Sequence, residues 1–150
     1  MEVLLDHIST LNWLAVVVAT LLAFAVGAVW YTPALFGKAW MKSIGLKESD
    51  TKKANMAKAI ILTLFGTFVT AVAIGVLVQV LALNTVWQGA TFGIMIAVAF
   101  LATNKVMQAQ FELRPLSYNV ITSAADVVTL GLMGAILAVW SWGRASGGSK

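Results

Sequence analysis

Asn12 to Lys42 reads NWLAVVVATLLAFAVGAVWYTPALFGKAWMK. Its first part, Asn12 to Tyr31, carries no charged side chain, and a helix that crosses a bilayer needs about 20 mostly apolar residues. Pro33 cannot donate to a helix ladder and biases Thr32 away from helical dihedrals, so the helix is expected to stop at Tyr31. Beyond it, Phe36, Trp40 and Ile44 share one helical face, with Lys38 and Lys42 nearly opposite. Such a segment lies in the interface, rings toward the acyl chains and ammonium groups toward the phosphates. Trp30, Tyr31, Phe36, Lys38, Trp40 and Lys42 are therefore expected to form an interfacial anchor. A lid over a ligand is the alternative use of the same rings.

The rest of the chain has the same character. Hydrophobic residues make up 60% of it and charged residues 11%, against about 25% charged in soluble domains. Three more apolar runs follow: Ala57 to Leu83, Val86 to Met107 and Tyr118 to Trp142. Trp13 in the first run, and Trp87, Tyr118, Trp140 and Trp142 in these, stand near the run ends, where an aromatic belt belongs. The expected fold is all-α, an integral membrane four-helix bundle with a short interfacial amphipathic helix after the first span. It forms a single domain over residues 1–143, followed by a flexible Gly/Ser-rich tail at 144–150. The segment MEVLLDHIST has two acids and no Lys or Arg, so the first run reads as a retained span rather than a cleaved signal peptide. Ser49 and Asp50, both cap-type residues, are expected to start a helical lead into the second span.

Charge sets the expected orientation. Lys38, Lys42, Lys47, Lys52, Lys53 and Lys58 fall in the loop 33–56 or just after it, Lys105 lies just before the loop 108–117 and Arg114 within it. The opposite side has only Arg144 and Lys150. The positive-inside rule then places both loops in the cytoplasm and both termini outside, in a cell inner membrane. Lysines clustered between apolar runs suit anionic lipid rather than nucleic acid, so no nucleic-acid partner is expected. The expected partners are the bilayer and further copies of the chain in a homo-oligomer, because four spans enclose little interior.

Small and polar residues mark the faces expected to pack inside the bundle. These are Thr63, Gly66, Thr67 and Thr70 on the second run, and Ala23 with Gly27 on the first. On the third they are Gly89, Gly93 and Ala97, continuing to Asn104 and Gln108. The fourth has Asn119, Thr122, Ser123 and Asp126 on one face, followed by Thr129, Gly134 and Ala138. Asp126 lies about 12 Å along the helix from Tyr118, close to the middle of a hydrocarbon core about 30 Å thick. A carboxylate there costs about 2.5–3.5 kcal/mol on insertion scales and is a functional candidate by default. Lys105 could reach inward to pair with it, or Asn119, Ser123 and the threonines could hold it protonated. The candidate intramembrane polar site is thus Asp126, Asn119, Thr122, Ser123, Lys105 and Asn104.

Enzyme chemistry lacks its residues. There is no Cys, a single His at position 7, and one acid at membrane depth. No catalytic set, metal cluster, cofactor or phosphate-binding loop is expected.

One block is distinctive: Asn12-Trp13, Gly27, Trp30-Tyr31, Pro33, Phe36-Gly37-Lys38 and Trp40-Met41, with a weaker echo in GLMGAILAVW, Gly131 to Trp140. In these residues the sequence resembles a small family of uncharacterised bacterial membrane proteins, domain of unknown function seventeen-sixty-one. The resemblance implies a four-span protein without an established activity and carries over no catalytic residues. Asp126 lies outside the blocks that carry it. The primary expectation is a non-enzymatic membrane protein whose polar interior serves packing and assembly. The alternatives are a proton- or cation-coupled transporter or channel using Asp126, and a module that binds lipid or a small molecule.

Overall fold

The computed structural model describes residues 2–51 and 55–145, and the regular structure in them is entirely helical. A short helix, α1 (Glu2–Ser9), precedes α2 (Trp13–Trp30), which is followed by two more short helices, α3 (Gly37–Ser43) and α4 (Glu48–Thr51). Next comes α5 (Met56–Val80). A third long rod is built from α6 (Val86–Ile96), a π-helical stretch at Ala97–Ala102, and α7 (Thr103–Phe111). The last helix is α8 (Leu116–Ala145). Four stretches, Trp13–Trp30, Met56–Val80, Val86–Phe111 and Leu116–Trp140, are long and apolar enough to cross a membrane. This is a four-span, all-α membrane protein.

Local chemistry sets the helix ends. Asn12 caps α2, its side chain accepting from Ala15 N at 3.3 Å. After Trp30 the chain turns so tightly that Phe36 N donates to Trp30 O at 3.1 Å and Gly37 N to Thr32 O at 2.9 Å. A Cβ on Gly37 would overlap the backbone of Tyr31 and Thr32, so only glycine fits this return. The lead into the second span differs from expectation. Asp50 accepts from Lys47 N at 3.1 Å within the loop, whereas Asn55 caps α5 by accepting from Lys58 N at 3.0 Å. The start is therefore set by Asn55, because its side chain and not that of Ser49 or Asp50 meets the first free amides of α5. Lys52, Lys53 and Ala54 lie outside the described residues. At the other end α8 continues through Gly143, Arg144 and Ala145, into what composition assigns to the tail, and 146–150 lie outside the described residues.

One helix was not anticipated. Ile8 in α1 packs against the core and Leu11 just after it is 3% exposed, while Gln79 of α5 donates to Thr10 O at 3.4 Å.

The bundle is tight at one end and splayed at the other. Ala15, Val16, Ala19 and Ala23 of α2 bury against Ala71, Ile74 and Val78 of α5 and Met133, Leu137 and Ala138 of α8. All of these lie toward the end that carries the chain termini. At the lysine-rich end, Met56, Ile60, Ile61, Leu62 and Phe65 of α5 are exposed. The closest approach is between α6 and α8. A Cβ on Gly89 would overlap the Gly134 carbonyl, one on Gly134 the Gly89 carbonyl, and one on Gly93 the Leu130 carbonyl. Backbones in such contact gain dispersion over their whole length, which is how helices associate where water supplies no drive.

Candidate functional site

Lys105 and Asp126 meet inside the bundle. Lys105 Nζ donates to Asp126 Oδ2 at 2.5 Å and to the carbonyl of Thr122 at 3.3 Å. Both side chains are mostly covered, at 31% and 20% exposure. Asp126 stands ten residues after Leu116 in α8, about 15 Å along the axis, which is half the depth of a hydrocarbon core. Pairing supplies the charge compensation that makes a carboxylate tolerable there.

The π-helical stretch decides which residue meets Asp126. An α-helix turns about 100° per residue, so in an unbroken helix Asn104 and Gln108 fall within about 20° of Ala97. That geometry underlies the expected stripe. A π turn takes up one extra residue, and everything after Ala102 rotates back by one position. Lys105 and Ala109 replace Asn104 and Gln108 on the inner face. Ala109 is buried, whereas Asn104 and Gln108 are exposed. Asn104 therefore does not belong to the site.

The other expected members behave differently. Thr122 is buried, its hydroxyl donating to Tyr118 O at 2.9 Å, and it serves Lys105 through its carbonyl. Asn119 is 2% exposed. Its side-chain atoms and Ser123 Oγ are buried without a hydrogen-bond partner among the described residues. These two lie on the same face as Asp126 but do not bond to it.

The anchor aromatics turn inward on one another. Trp30 Nε1 donates to Ile121 O on α8 at 3.1 Å. The Trp30 and Phe36 rings lie 4.6 Å apart, and Tyr31 and Trp40 meet edge to face at 5.5 Å. Thus α3 folds back onto the end of α2, with Lys38 and Lys42 exposed. Gly37 permits this return.

Beside the ion pair, between α2, α5 and α8, lies a cleft of about 840 Å³. Tyr31 and Gly27 line it from α2 and the turn after it, Thr63, Gly66, Thr67 and Thr70 from α5, and Asp126 and Thr129 from α8. A Cβ on Gly27 or Gly66 would meet nothing within 4 Å. The expectation that these small residues and threonines form packing faces is thus corrected. The burial of α5 begins only at Ala71, and the stripe before it faces open space because the helices diverge there. The threonine protons are largely committed: Thr67 donates to Thr63 O at 2.7 Å, Thr70 to Gly66 O at 2.9 Å and Thr129 to Ala125 O at 2.8 Å. Their oxygen lone pairs remain available.

Thr129 was expected to follow Asp126 on the inner face of the fourth run, whereas Tyr31 was not anticipated as a neighbour of Asp126. The signal for Thr129 was its spacing, i+3 from Asp126. For Tyr31 there was none, since its position depends on where α2 ends against α8.

The fold and this pair define a class: a small four-span membrane protein with a charge pair at mid-depth beside an intramembrane cleft. The chain belongs to the family described as Protein of unknown function (DUF1761), whose family model matches residues 14–138. No curated protein and no solved structure matches it.

Proposed function

We propose that this protein is a non-enzymatic membrane receptor or carrier for a small amphiphilic molecule that enters its cleft laterally from the bilayer. One observation carries this reading: facing glycines and a threonine row are turned toward about 840 Å³ of space, with a carboxylate on its wall. Ligand sites typically have about 300–1,000 Å³ and a mostly apolar lining with few polar groups. Packing faces built from the same residues close up, as Gly89 and Gly134 do. The lysine-rich loop supports an inner-membrane orientation with both termini outside. The uncovered α5 face supports assembly into a homo-oligomer.

The test uses an alkyl amphiphile bearing a photoactivated diazirine, added to the protein in phosphatidylcholine nanodiscs. Crosslinks are expected to concentrate on Thr63–Thr70 and the end of α2, and to fall several-fold in Gly66→Leu, which fills the space. Even labelling of all lipid-facing surfaces would refute ligand binding. If crosslinking instead joins two copies through α5, the cleft is a subunit interface.

A second reading, proton- or cation-coupled transport, is favoured by the depth of Asp126 and the π turn beside its partner, since such turns are frequent at functional sites. Asp126→Asn should then abolish flux in liposomes.

A further inference from the structure

The ion pair is neutral as a whole, but it is oriented. Asp126 lines the cleft, whereas Lys105 does not and instead turns its ammonium to the Thr122 carbonyl. Asp126 Oδ2 holds Lys105, and Oδ1 accepts no hydrogen bond among the described residues. Among the described residues no Lys, Arg or His lines the cleft. Three of its threonines have given their protons to their own helices and offer lone pairs only. The Tyr31 and Thr63 hydroxyls can turn either way. A ligand therefore meets a wall that mostly accepts hydrogen bonds and carries the negative end of a charge pair, while the rest of the surface is apolar.

On this basis we infer that the cleft selects a cationic amphiphile, an alkyl chain or apolar ring system ending in an ammonium group. Its N–H donors reach Asp126 Oδ1 and the threonine oxygens. The inference rests on the binding reading above and specifies its ligand. Charge complementarity argues against anionic amphiphiles, which would face the carboxylate with no cation among the described lining residues to receive them. A neutral alcohol could fill the same space but would lose the charge-assisted bond, which is roughly twice as strong as a neutral one. Lys105 sets the strength of the attraction. With it in place the ligand sees a dipole; without it, a full negative charge in a medium that screens poorly.

The chain has no cysteine, so Thr67→Cys supplies a single reporter in the cleft. Leu62→Cys, on the exposed face of α5 and outside the cleft lining, reports simple partitioning. Each variant is placed in phosphatidylcholine nanodiscs, and the rate of thiol alkylation is measured against dodecylammonium, dodecanol and dodecyl sulfate. Dodecylammonium should protect the Thr67→Cys thiol at a concentration at least tenfold below dodecanol, with dodecyl sulfate weakest. The Leu62→Cys thiol should respond equally to all three. Adding Asp126→Asn should bring dodecylammonium and dodecanol together, and adding Lys105→Met should strengthen dodecylammonium several-fold further. Equal protection of the cleft reporter by ammonium and alcohol, with Asp126 and Lys105 both in place, would overturn the cationic selectivity while leaving a binding cleft. Protection by none of the three would overturn the binding reading itself. If Asp126→Asn does not fold, the rank order of the three amphiphiles and the Lys105→Met shift still decide.

Discussion

Lys105 on the third span donates to Asp126 on the fourth, although an unbroken α-helix from Ala97 would have turned Asn104 toward that carboxylate. One residue taken up in the π turn exchanges a neutral amide for an ammonium at mid-membrane. The exchange converts an isolated charge into a compensated one, and that gain offsets the irregular helix.

The pair should show strong energetic coupling. Lys105→Met leaves a carboxylate without its cation, and breaking a buried pair costs about 3–5 kcal/mol in dry interiors. Because both groups here retain some exposure, a loss of about 1–3 kcal/mol is expected. The double variant Lys105→Met with Asp126→Leu should recover most of it. Unfolding in a graded denaturing detergent measures all four corners of the cycle, and additive effects would show that the two side chains are independent.

The π turn predicts an unusual tolerance. Deleting Val98 should regularise Ala97–Ala102 to an α-helix and leave Lys105 facing Asp126. Stability is then expected to change by less than about 1 kcal/mol, roughly the value of one helix position. Deleting Val128 in the regular part of α8 rotates everything beyond it by about 100° and should prevent folding. Monodispersity after purification and the melting temperature separate the two.

Gly89 and Gly66 stand in opposite surroundings. Gly89→Ala places a methyl group inside the Gly134 carbonyl, and overpacking of this sort costs about 1–3 kcal/mol or more. Gly66→Ala meets nothing and should raise helix stability by up to about 1 kcal/mol. Opposite signs in a melting experiment are the expected result.

Two helices end on left-handed residues other than glycine. Ala82 has φ 52° and Leu113 φ 54°. Leu83 N donates to Val78 O at 3.0 Å and Arg114 N to Ala109 O at 2.9 Å. These are Schellman closures, and their left-handed position favours glycine, as Gly45 illustrates after α3 with φ 70°. Leu113 is 89% exposed, so Leu113→Gly gives up little packing. It should stabilise by about 0.5–1 kcal/mol, since a left-handed side chain costs about 1–2 kcal/mol and glycine's greater backbone freedom cancels part of the gain. A lowered melting temperature would contradict this.

Much of this protein was legible along the chain. Four apolar runs, the stop at Pro33 and the cost of Asp126 follow from the solvent each residue prefers, and solvent preference is local. That Gly89 and Gly93 mark a packing face was also visible, but that this face meets Gly134 of α8 was not. Other features required the assembled helices. A π turn has no reliable local code, since Ala97–Ala102 is ordinary helical sequence. It is seen only in the folded chain, where it brings Lys105 to Asp126 and moves the site from Asn104 to Lys105. Likewise Gly27 and Gly66 carry the same signature as Gly89. Whether a small residue closes a contact or opens a cleft depends on the angle between helices, and that angle is set by large side chains elsewhere in the bundle.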